Sequence, residues 1–312
     1  MRPTKVFQLA KIKAVDLFSG CGGMSLGFSN GGFDVQAAFE CWEPAIAVYR
    51  RNFDHPIHAQ DLSDSETSVE LIRSYSPNVI FGGPPCQDFS SAGHRDETRG
   101  RAVLSIVFAQ IVLGVKPQWF VMENVARIEK SNTFQELKSL LVSSGYGLTS
   151  QVLNAAHCGV PQARKRMFLI GGLGEKDGFL NTELNSSLST QPMTVRDYLG
   201  DQLGVDHYFR IPRNYNRRGV YSIDEPSPTI RTVNRPIPPG YGGHPKDSAH
   251  RDDVRILTAK ERSLIQTFPK EFEFFGSKSN METMIGNAVP VNLARFVASA
   301  LMRYIHSQDV TQ

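Results

Sequence analysis

Short apolar segments that end in glycine or proline alternate with helix-like segments over the first 170 residues of the chain. Predicted strands cover 13–18, 35–39, 78–81, 119–122 and 166–170, and predicted helices cover 45–52, 65–74, 103–113 and 133–143. This alternation is typical of a doubly wound α/β sheet. Ligands of such sheets lie at the carboxyl ends of the strands. The glycine and proline turns fall there, so we expect the functional site at that edge.

The second half of the chain has a different character. Residues 173–254 are rich in Pro, Gly, Asn and Arg and show little periodicity, and helical periodicity returns at 258–267 and 291–306. A length of 312 residues suits one large domain or two small ones. We predict a catalytic, cofactor-binding domain of residues 1–172 plus 276–312, and a smaller, loop-rich domain of residues 173–275.

Composition excludes several classes of protein. The 34 Lys and Arg against 31 Asp and Glu give a net charge of +3, which permits an anionic partner without requiring one. The longest apolar-rich run, 102–115, is shorter than the roughly 20 residues that span a bilayer, and the N-terminus lacks a signal-peptide core. The four cysteines are far apart, with no C-x-x-C pair. We therefore predict a cytoplasmic protein with no membrane segment, zinc site or disulfide framework.

The segment 16–23, Asp-Leu-Phe-Ser-Gly-Cys-Gly-Gly, leads from a strand into glycines and then a helix. Free backbone N–H groups at such a turn can face a nucleotide-like ligand, although Ser25 replaces the third glycine of a dinucleotide fingerprint. Glu40 and Asp61 follow the next two apolar segments, where carboxylates can accept bonds from ribose hydroxyls. Three acids so spaced suit a positively charged adenosine cofactor. The alternative is an ordinary turn with solvated acids.

Three further positions carry reactive or charged groups. Cys86 follows Pro84-Pro85 at a strand end, where a thiol is a better nucleophile candidate than a buried cysteine in a core. A basic, glycine-containing loop, 88–101, follows it and could close over a site. Glu123 ends another apolar strand and could donate a proton, or could simply cap a helix, as Asn124 also could. The run 162–166, Gln-Ala-Arg-Lys-Arg, is predicted to send Gln162, Arg164 and Arg166 to one face of a strand.

In this order the motifs resemble the DNA (cytosine-5) methyltransferases. The matching residues are 16–23, Glu40, Asp61, Pro84-Pro85-Cys86-Gln87, Met122-Glu123-Asn124-Val125, 162–166, 257–261 with 266–269, and Gly286-Asn287-Ala288-Val289-Pro290. The resemblance covers nearly the whole chain. It implies a Rossmann-like, S-adenosylmethionine-dependent methyltransferase sheet, with the domain at 173–275 recognising the target sequence.

The resemblance also implies a mechanism. Cys86 would add as a thiolate to C6 of cytosine, so that C5 can accept the methyl group of S-adenosyl-L-methionine. Glu123 would hold and protonate N3, while Arg164 and Arg166 would bind O2 and the adjoining phosphate and help to fix Cys86. Because a base inside a duplex is out of reach, the cytosine must be flipped out.

By the same resemblance Phe18 would stack on adenine, Glu40 would hold the ribose, and Asp61 with Leu62 would meet the adenine edge. The complete predicted cofactor set is Asp16, Phe18, Gly20, Gly22, Gly23, Glu40, Trp42, Asp61, Leu62, Pro84, Leu104, Asn287 and Val289. One departure concerns the residue after the ribose-binding Glu, which is often large and apolar in the family. Here Cys41 occupies that position and Trp42 follows it.

The partner implied is double-stranded DNA. Between 207 and 235 six arginines stand against two acids, with three tyrosines interleaved, and Arg is the commonest reader of guanine. A solvated loop is the alternative. The predicted DNA contacts are Gln87, Ser90, Gln162, Arg213, Arg217, Thr229, Arg231 and Arg235.

Other functions share part of this pattern. A second hypothesis is an RNA methyltransferase of the tRNA-methylating branch, which shares the catalytic motifs. That branch usually carries a Cys-Phe-Thr tripeptide, which is absent here because the four cysteines precede Gly, Trp, Gln and Gly. A catalytically silent DNA-binding homologue is a third hypothesis, against which Cys86, Glu123 and the two arginines argue. A nicotinamide dehydrogenase would leave the thiol turn unexplained.

The short flanks around the motifs are similar to those of the protective methylases of bacterial or phage restriction-modification systems. The prediction is therefore a monomer in the cytoplasm of a bacterial or phage-infected cell. A cognate restriction endonuclease would act on the same sequence without forming a stable complex.

Overall fold

The computed structural model of the protein describes residues 11–85 and 103–309. In chain order the strands are β1 (Lys13–Leu17), β2 (Asp34–Glu40), β3 (Ile57–Ala59), β4 (Val79–Gly82), β5 (Trp119–Val125), β6 (Tyr146–Asn154), β7 (Gln162–Ala163), β8 (Lys165–Leu173), β9 (His207–Phe209), β10 (Val220–Ser222), β11 (Ser227–Pro228) and β12 (Arg255–Ile256). The α-helices are α1 (Gly23–Asn30), α2 (Glu43–Asn52), α3 (Ser65–Ser74), α4 (Val103–Val115), α5 (Asn132–Ser143), α6 (Asn181–Ser186), α7 (Val195–Leu199), α8 (Ala259–Ile265), α9 (Lys278–Asn287) and α10 (Val291–Asp309).

Seven strands form the main sheet in the order β3-β2-β1-β4-β5-β8-β6. The first five strands are parallel, and β8 runs antiparallel to both β5 and β6. The chain moves outward from β1 to β3 and then crosses back to β4, so the strand order reverses between β1 and β4. In open α/β sheets the ligand crevice lies outside the carboxyl ends of the strands at such a reversal. The glycine turn follows β1, and Gly83-Pro84-Pro85 follows β4.

The five strands and the helices predicted from the sequence are confirmed, with ends that shift by a few residues. Two strands of the main sheet were not predicted. β3 has only three residues, of which one is buried, and the outer half of β6 is partly exposed, so neither has a continuous apolar run. The antiparallel edge also departs from the predicted strand-helix alternation, because β6 and β8 follow one another without an intervening α-helix.

Apolar cores lie on both faces of the main sheet. One contains residues of α1 and α10 together with Phe81 of β4, and the buried rings of Phe28 and Phe81 stack 3.8 Å apart. The other contains residues of α4 and α5. Helices α1 and α10 approach closely at Gly27, where an added Cβ would lie 2.4 Å from the Cβ of Ala294. Glycine is therefore required there by the helix contact.

The loop-rich part of the chain has its own three-stranded sheet, β10-β9-β12, and a core that includes Tyr208, Ile223 and Leu257. A two-residue parallel pairing of β7 with β11 joins this part to the run at 162–166. The predicted boundary at residue 173 between the catalytic domain and the loop-rich domain stays a prediction. Leu180 and Leu184, which lie just beyond it, pack in the core of the main sheet.

One helical stretch, 278–308, is long and apolar enough to cross a membrane by length and composition. In the fold, 67% of its most apolar window is buried inside the protein. Its second part is α10, which packs against α1. The stretch is therefore accounted for as a core element of the domain.

Candidate functional site

The glycine turn after β1 is held by Glu40 at the end of β2. One carboxylate oxygen of Glu40 accepts a bond of 2.8 Å from the Gly20 N–H, and the other accepts bonds of 2.8 Å from the N–H groups of Cys41 and Trp42. Phe18 has a φ of 57°, which is uncommon for a residue with a side chain and is often found at functional sites. No heavy atom within 4 Å would meet a Cβ added to Gly20, so the turn leaves open space above its backbone.

The segment between α9 and α10 lies directly against this turn. A Cβ on Gly23 would lie 2.4 Å from the carbonyl oxygen of Val289, and Asn287 is exposed. The fold therefore brings predicted cofactor residues from opposite ends of the chain together. A single sequence contains no signal for this contact.

The remaining predicted cofactor residues differ in exposure. Asp61 is exposed, and bonding to Ser63, whose N–H lies 2.9 Å from Oδ1, holds its pKa below the usual value. Trp42 and Leu104 are half-buried, whereas Leu62 is 2% exposed and belongs to the core on the α4 side. Only the backbone of Leu62 is therefore placed to meet a ligand.

Asp16 provides a test of whether the site suits a cationic ligand. It is fully buried, and its Oδ2 accepts a 2.6 Å bond from the Ser25 hydroxyl, while Oδ1 has no hydrogen-bond partner among residues 11–85 and 103–309. Burial raises the pKa of Asp16 well above its usual value, and the nearby Glu40 raises it further. A buried, unpartnered carboxyl oxygen beside a second acid fits the ammonium and sulfonium charges of S-adenosylmethionine.

The carboxyl of Glu123 lies beside the proline turn that follows β4. A Cβ on Gly83 would lie 3.2 Å from Glu123 Oε2, and Asn124 Nδ2 donates to the Pro84 carbonyl at 3.4 Å. Arg166 Nε lies 2.9 Å from Glu123 Oε1, and both side chains are largely buried. Burial raises the pKa of Glu123, an effect that Arg166 and Arg164 partly oppose. The raised pKa favours a carboxyl that can hold and donate a proton.

Three predicted residues, Cys86, Gln87 and Ser90, lie outside the described residues. Pro85 is the last described residue before them. The predicted nucleophile therefore directly follows, in sequence, the turn that contacts Glu123.

The predicted alternation in the run 162–166 is confirmed. Gln162, Arg164 and Arg166 are buried or half-buried, while Ala163 and Lys165 are exposed. Gln162 is completely buried, donates to Gln266 Oε1 at 2.7 Å and accepts from the Ile230 N–H at 2.9 Å. The side-chain nitrogen and oxygen of Gln162 therefore both bond to groups inside the protein. The predicted contact of Gln162 with DNA does not fit this placement.

Arg164 joins three distant parts of the chain. Its guanidinium donates to the carbonyl of Ile230 at 3.0 Å and to that of Gly286 at 3.2 Å, and its side chain is 1% exposed. It therefore ties the strand run at 162–166 to the loop-rich part and to the end of α9. Arg166 forms an ion pair with Glu123, whereas the bonds of Arg164 go to the carbonyls of Ile230 and Gly286.

A group of arginines lies around β9 and β11. Arg210 donates to the Thr229 carbonyl at 2.9 Å, Arg231 donates to the Ile211 carbonyl, and the Thr229 hydroxyl donates to the Ala163 carbonyl at 3.0 Å. Burial, followed by the nearby Arg210 and Arg213, lowers the pKa of Arg231 to about 10. Such mutual repulsion is relieved when an anion such as phosphate binds.

The other predicted DNA-binding arginines, Arg213, Arg217 and Arg235, are exposed. The sequence places Arg210 among the six arginines between 207 and 235 but does not single it out, because its hydrogen-bond partner Thr229 comes from a different segment. Sequence reasoning missed the buried pair of Arg262 on α8 and Glu282 on α9. Arg262 also donates to the Arg231 carbonyl, and Asn234 Nδ2 donates to Glu282 Oε1 at 2.9 Å. This pair therefore holds the segment that follows β11.

In the described part of the chain, no three His, Cys, Asp or Glu side chains come together as a metal site would require. The Cys21 and Cys158 thiols are buried and free, and the Cys41 thiol is exposed and free.

The comparisons with known proteins agree with this geometry. Residues 12–303 match the family of C-5 cytosine-specific DNA methylases. The chain is 58% identical over 295 residues to the type II methyltransferase M.HindV of Haemophilus influenzae, covering 94% of this chain and 97% of that protein. It is 54% identical over 301 residues to M.HgiDI of Herpetosiphon aurantiacus, covering 96% and 97% of the two chains.

Among solved structures, the S. pombe Dnmt2 methyltransferase has the same fold with a TM-score of 0.70. The match is 18% identical and covers 95% of this chain and 99% of that one. From the family match, the two relatives and the arrangement of its motifs, the chain belongs to the C-5 cytosine-specific DNA methylases and is a DNA (cytosine-5) methyltransferase.

Proposed function

We propose that the protein methylates C5 of one cytosine within a short sequence of double-stranded DNA, with S-adenosyl-L-methionine as the donor. The observation that carries this proposal is the Glu123–Arg166 pair, 2.9 Å apart, set against the Gly83 turn that leads to Cys86. A proton donor next to a thiol-bearing turn is the pairing that this reaction needs.

Cys86 begins the reaction. Its thiolate adds to C6 of the flipped-out cytosine, and Glu123 gives a proton to N3, so that C5 becomes an enamine-like carbon. When bound, S-adenosylmethionine supplies an electrophilic methyl group to that carbon. Methyl transfer would leave S-adenosylhomocysteine. A base, for which water is the candidate, then takes the C5 proton, Cys86 leaves C6 as a thiolate, and the N3 proton returns to Glu123, which restores the aromatic ring.

Arg166 and Arg164 have different parts in this proposal. Arg166 orients the Glu123 carboxyl through their ion pair and contributes positive charge near the turn that precedes Cys86, which favours a thiolate. Arg164 donates to the carbonyls of Ile230 and Gly286, so we assign it to holding the loop-rich part in place beside the catalytic edge.

The residues around the glycine turn would hold the donor. Glu40 already accepts bonds from the Gly20 N–H in the turn and from the N–H groups of Cys41 and Trp42 after β2, and it retains acceptor capacity for ribose hydroxyls. Asp16 would face positive charge, and the Val289 segment would close the opposite wall. The set therefore draws on β1, β2 and the connection between α9 and α10.

The arginine group around β9 and β11 would bind the DNA. Arg213, Arg217 and Arg235 are exposed and free to reach phosphates or guanine, while Arg210 and Arg231 are anchored by backbone carbonyls and partly buried. Thr229 would act through its backbone, since its hydroxyl bonds to the Ala163 carbonyl.

The test is bisulfite sequencing of a plasmid from methylation-free cells that express the protein, beside cells that express Cys86→Ser. We expect protected cytosines within one short repeated sequence, and no protection with the variant. Protection in both samples would exclude Cys86 as the nucleophile. A folded protein without protection in either sample would contradict the proposed activity.

We also propose that methylation protects the DNA of a bacterial or phage-infected cell against a restriction endonuclease, and that the enzyme acts as a monomer in the cytoplasm. Plasmid methylated by the protein should resist an endonuclease that cuts the sequence found by bisulfite mapping. Plasmid from the Cys86→Ser cells should be cut. Sedimentation of the enzyme with a duplex that carries one site should give one protein per duplex.

A further inference from the structure

A continuous chain of short hydrogen bonds leads from buried Asp16 to the half-buried ring of His55. The Ser25 hydroxyl donates to Asp16 Oδ2 at 2.6 Å, the oxygens of Ser25 and Tyr49 are 2.6 Å apart, and Tyr49 Oη lies 2.6 Å from His55 Nε2. These residues come from β1, α1, α2 and the connection to β3. Ser25 is the residue that replaces the third glycine of a dinucleotide fingerprint.

The surroundings isolate this chain of bonds from water until it reaches His55. Asp16, Ser25 and Tyr49 are fully buried, and the Phe53 ring stacks on Tyr49 with centroids 4.2 Å apart and lies 5.3 Å from His55. Hydrogen bonds in such an environment polarise one another, so the state of one end influences the other.

Several charged or titratable groups face the two ends. At Asp16 they are Glu40 on β2 and the buried thiol of Cys21 in the glycine turn. At His55 they are Asp54 and, from β2, Asp34, both of which favour the imidazolium, whereas burial opposes it and lowers the pKa of His55 overall. Tyr49 has a raised pKa because of burial and the nearby Asp16.

We propose that Ser25, Tyr49 and His55 are positioning residues that stabilise the ionised form of Asp16 when the cationic methyl donor binds. The inference rests on the proposed cofactor site. The unpartnered oxygen, Asp16 Oδ1, faces the positive charge, while Oδ2 stays bonded to Ser25.

The proton balance follows from the bonding order. In the free protein Ser25 donates to Asp16 Oδ2, so a neutral Asp16 carries its proton on the unpartnered Oδ1. Binding of the cation against Oδ1 releases this proton to solvent and leaves a carboxylate. Ser25 still donates to Oδ2, while Tyr49 donates to Ser25 and His55 Nε2 donates to Tyr49, so the chain of bonds stabilises the negative charge.

This arrangement links donor affinity to pH. Because burial places the pKa of Asp16 well above its usual value, the carboxyl is protonated in the free protein below that pKa. Cation binding favours the carboxylate, so affinity falls as pH drops through the pKa and binding releases a proton. Above that pKa the carboxylate is already present, and both effects disappear.

The experiment is isothermal titration of the full-length protein with S-adenosyl-L-methionine, from about pH 6 to about pH 9, in two buffers with different ionisation enthalpies. The buffer difference gives the number of protons released. We expect wild-type protein to release up to about one proton at the acid end of the range. Tyr49→Phe and His55→Phe remove a bond in the chain, so each should weaken binding about tenfold near neutral pH and shift the affinity profile to higher pH.

Matched variants separate positioning from folding. His55→Gln keeps an N–H donor and should remain within about threefold of wild type. Tyr75→Phe removes a similar bond, 2.7 Å from Tyr75 Oη to His58 Nε2, that does not connect to Asp16, and should leave the pH profile unchanged. Thermal unfolding of each variant checks that the fold is retained.

The outcomes are distinguishable. Binding without proton release, or the same pH profile in wild type, Tyr49→Phe and Tyr75→Phe, would overturn this inference and leave the proposed function standing. A folded wild-type protein that binds no S-adenosylmethionine at any pH would overturn the cofactor site and the function with it.

Discussion

At the scale of single residues, Glu123 shows how environment sets chemistry. Its carboxyl is buried, which favours the protonated form, yet Arg166 contacts it and favours the anion. The net effect raises the pKa of Glu123. A proton donor has to hold its proton near neutral pH and release it to a developing charge, and this balance suits that task.

Glu123→Gln should therefore lower the rate of methyl transfer by about 10²–10⁴-fold, because the amide keeps the shape but cannot donate the proton to N3. In wild type the rate should fall as pH rises through the Glu123 pKa, since only the protonated carboxyl is the acid. The variant should lose this basic limb. Single-turnover rates across pH measure both effects.

The control is Glu129→Gln, which changes an acid in the 3₁₀ turn just after β5 and should keep both the rate and the basic limb. Equal loss in the two variants would contradict a specific acid role for Glu123.

The sequence predicted the residues of the site better than their surroundings. Spacing alone placed Gln162, Arg164 and Arg166 on one face, as the structure confirms. It could not distinguish an interior face from a DNA-binding one, because the partners of Gln162 are Gln266 and Ile230, about a hundred and about seventy residues away. The bonds of Ser25 and Tyr49 were equally invisible, since hydroxyl partners leave no periodic pattern.

At the scale of elements, the packing of α1 on α10 depends on a glycine. A Cβ at position 27 would lie 2.4 Å from Ala294 Cβ and 2.7 Å from the Val291 carbonyl oxygen, both on α10. Gly27→Ala should therefore lower the free energy of unfolding by about 1–3 kcal/mol, because helix propensity cannot offset this overpacking.

Urea unfolding measures the effect. The matched control is Gly242→Ala, where no heavy atom lies within 4 Å of an added Cβ, and a change within about 0.5 kcal/mol is expected. Equal stability of Gly27→Ala and wild type would show that the two helices can separate at little cost.

A second prediction at this scale concerns the ion pair between α8 and α9. Arg262 and Glu282 are each 5% exposed, and the pair also holds Arg231 and Asn234. Arg262→Met should leave a buried carboxylate without its partner and cost about 3–5 kcal/mol in the free energy of unfolding.

The double variant Arg262→Met with Glu282→Leu removes both charges and should recover much of that loss. Chemical denaturation of the single and double variants measures the difference. A double variant less stable than Arg262→Met would show that the pair contributes through its hydrogen bonds to the segment after β11 rather than through charge balance.

Elements with a continuous apolar run were the ones that sequence could predict. β1, β4 and β5 are buried almost throughout, so their composition identifies them, whereas β3 and the outer half of β6 are stabilised by pairing with a neighbouring strand. Strand direction was also outside the reach of composition. The antiparallel β8 is as apolar as the parallel strands.

At the scale of the whole molecule, the site exists because distant segments meet. Gly23 contacts Val289, Glu123 pairs with Arg166, and Arg164 reaches Gly286. The order of the motifs predicted that they all belong to a single fold. The reversal of strand order between β1 and β4 predicts that they lie at the carboxyl edge of the main sheet. The contacts themselves depend on tertiary packing that one sequence does not encode locally.

The same scale governs DNA affinity, because a net charge of +3 is too small to bind DNA without concentration of charge on one surface. Arg213, Arg217 and Arg235 are exposed and close in sequence to the partly buried Arg210 and Arg231. If each exposed arginine neutralises one phosphate, its change to Gln should reduce the slope of log affinity against log salt by about 0.9 and weaken binding similarly for all sequences.

Fluorescence anisotropy measures this slope, with one duplex that carries the target sequence found by bisulfite mapping and one unrelated duplex. Arg73→Gln on α3 is the control and should leave the slope unchanged, since it removes an exposed arginine outside the predicted DNA-binding part. If the loss of an arginine weakens binding to the target duplex alone, that arginine contacts a base instead of a phosphate. Slopes unchanged in all three variants would mean that DNA lies against a different surface, because counterion release has to follow the charges that touch the backbone.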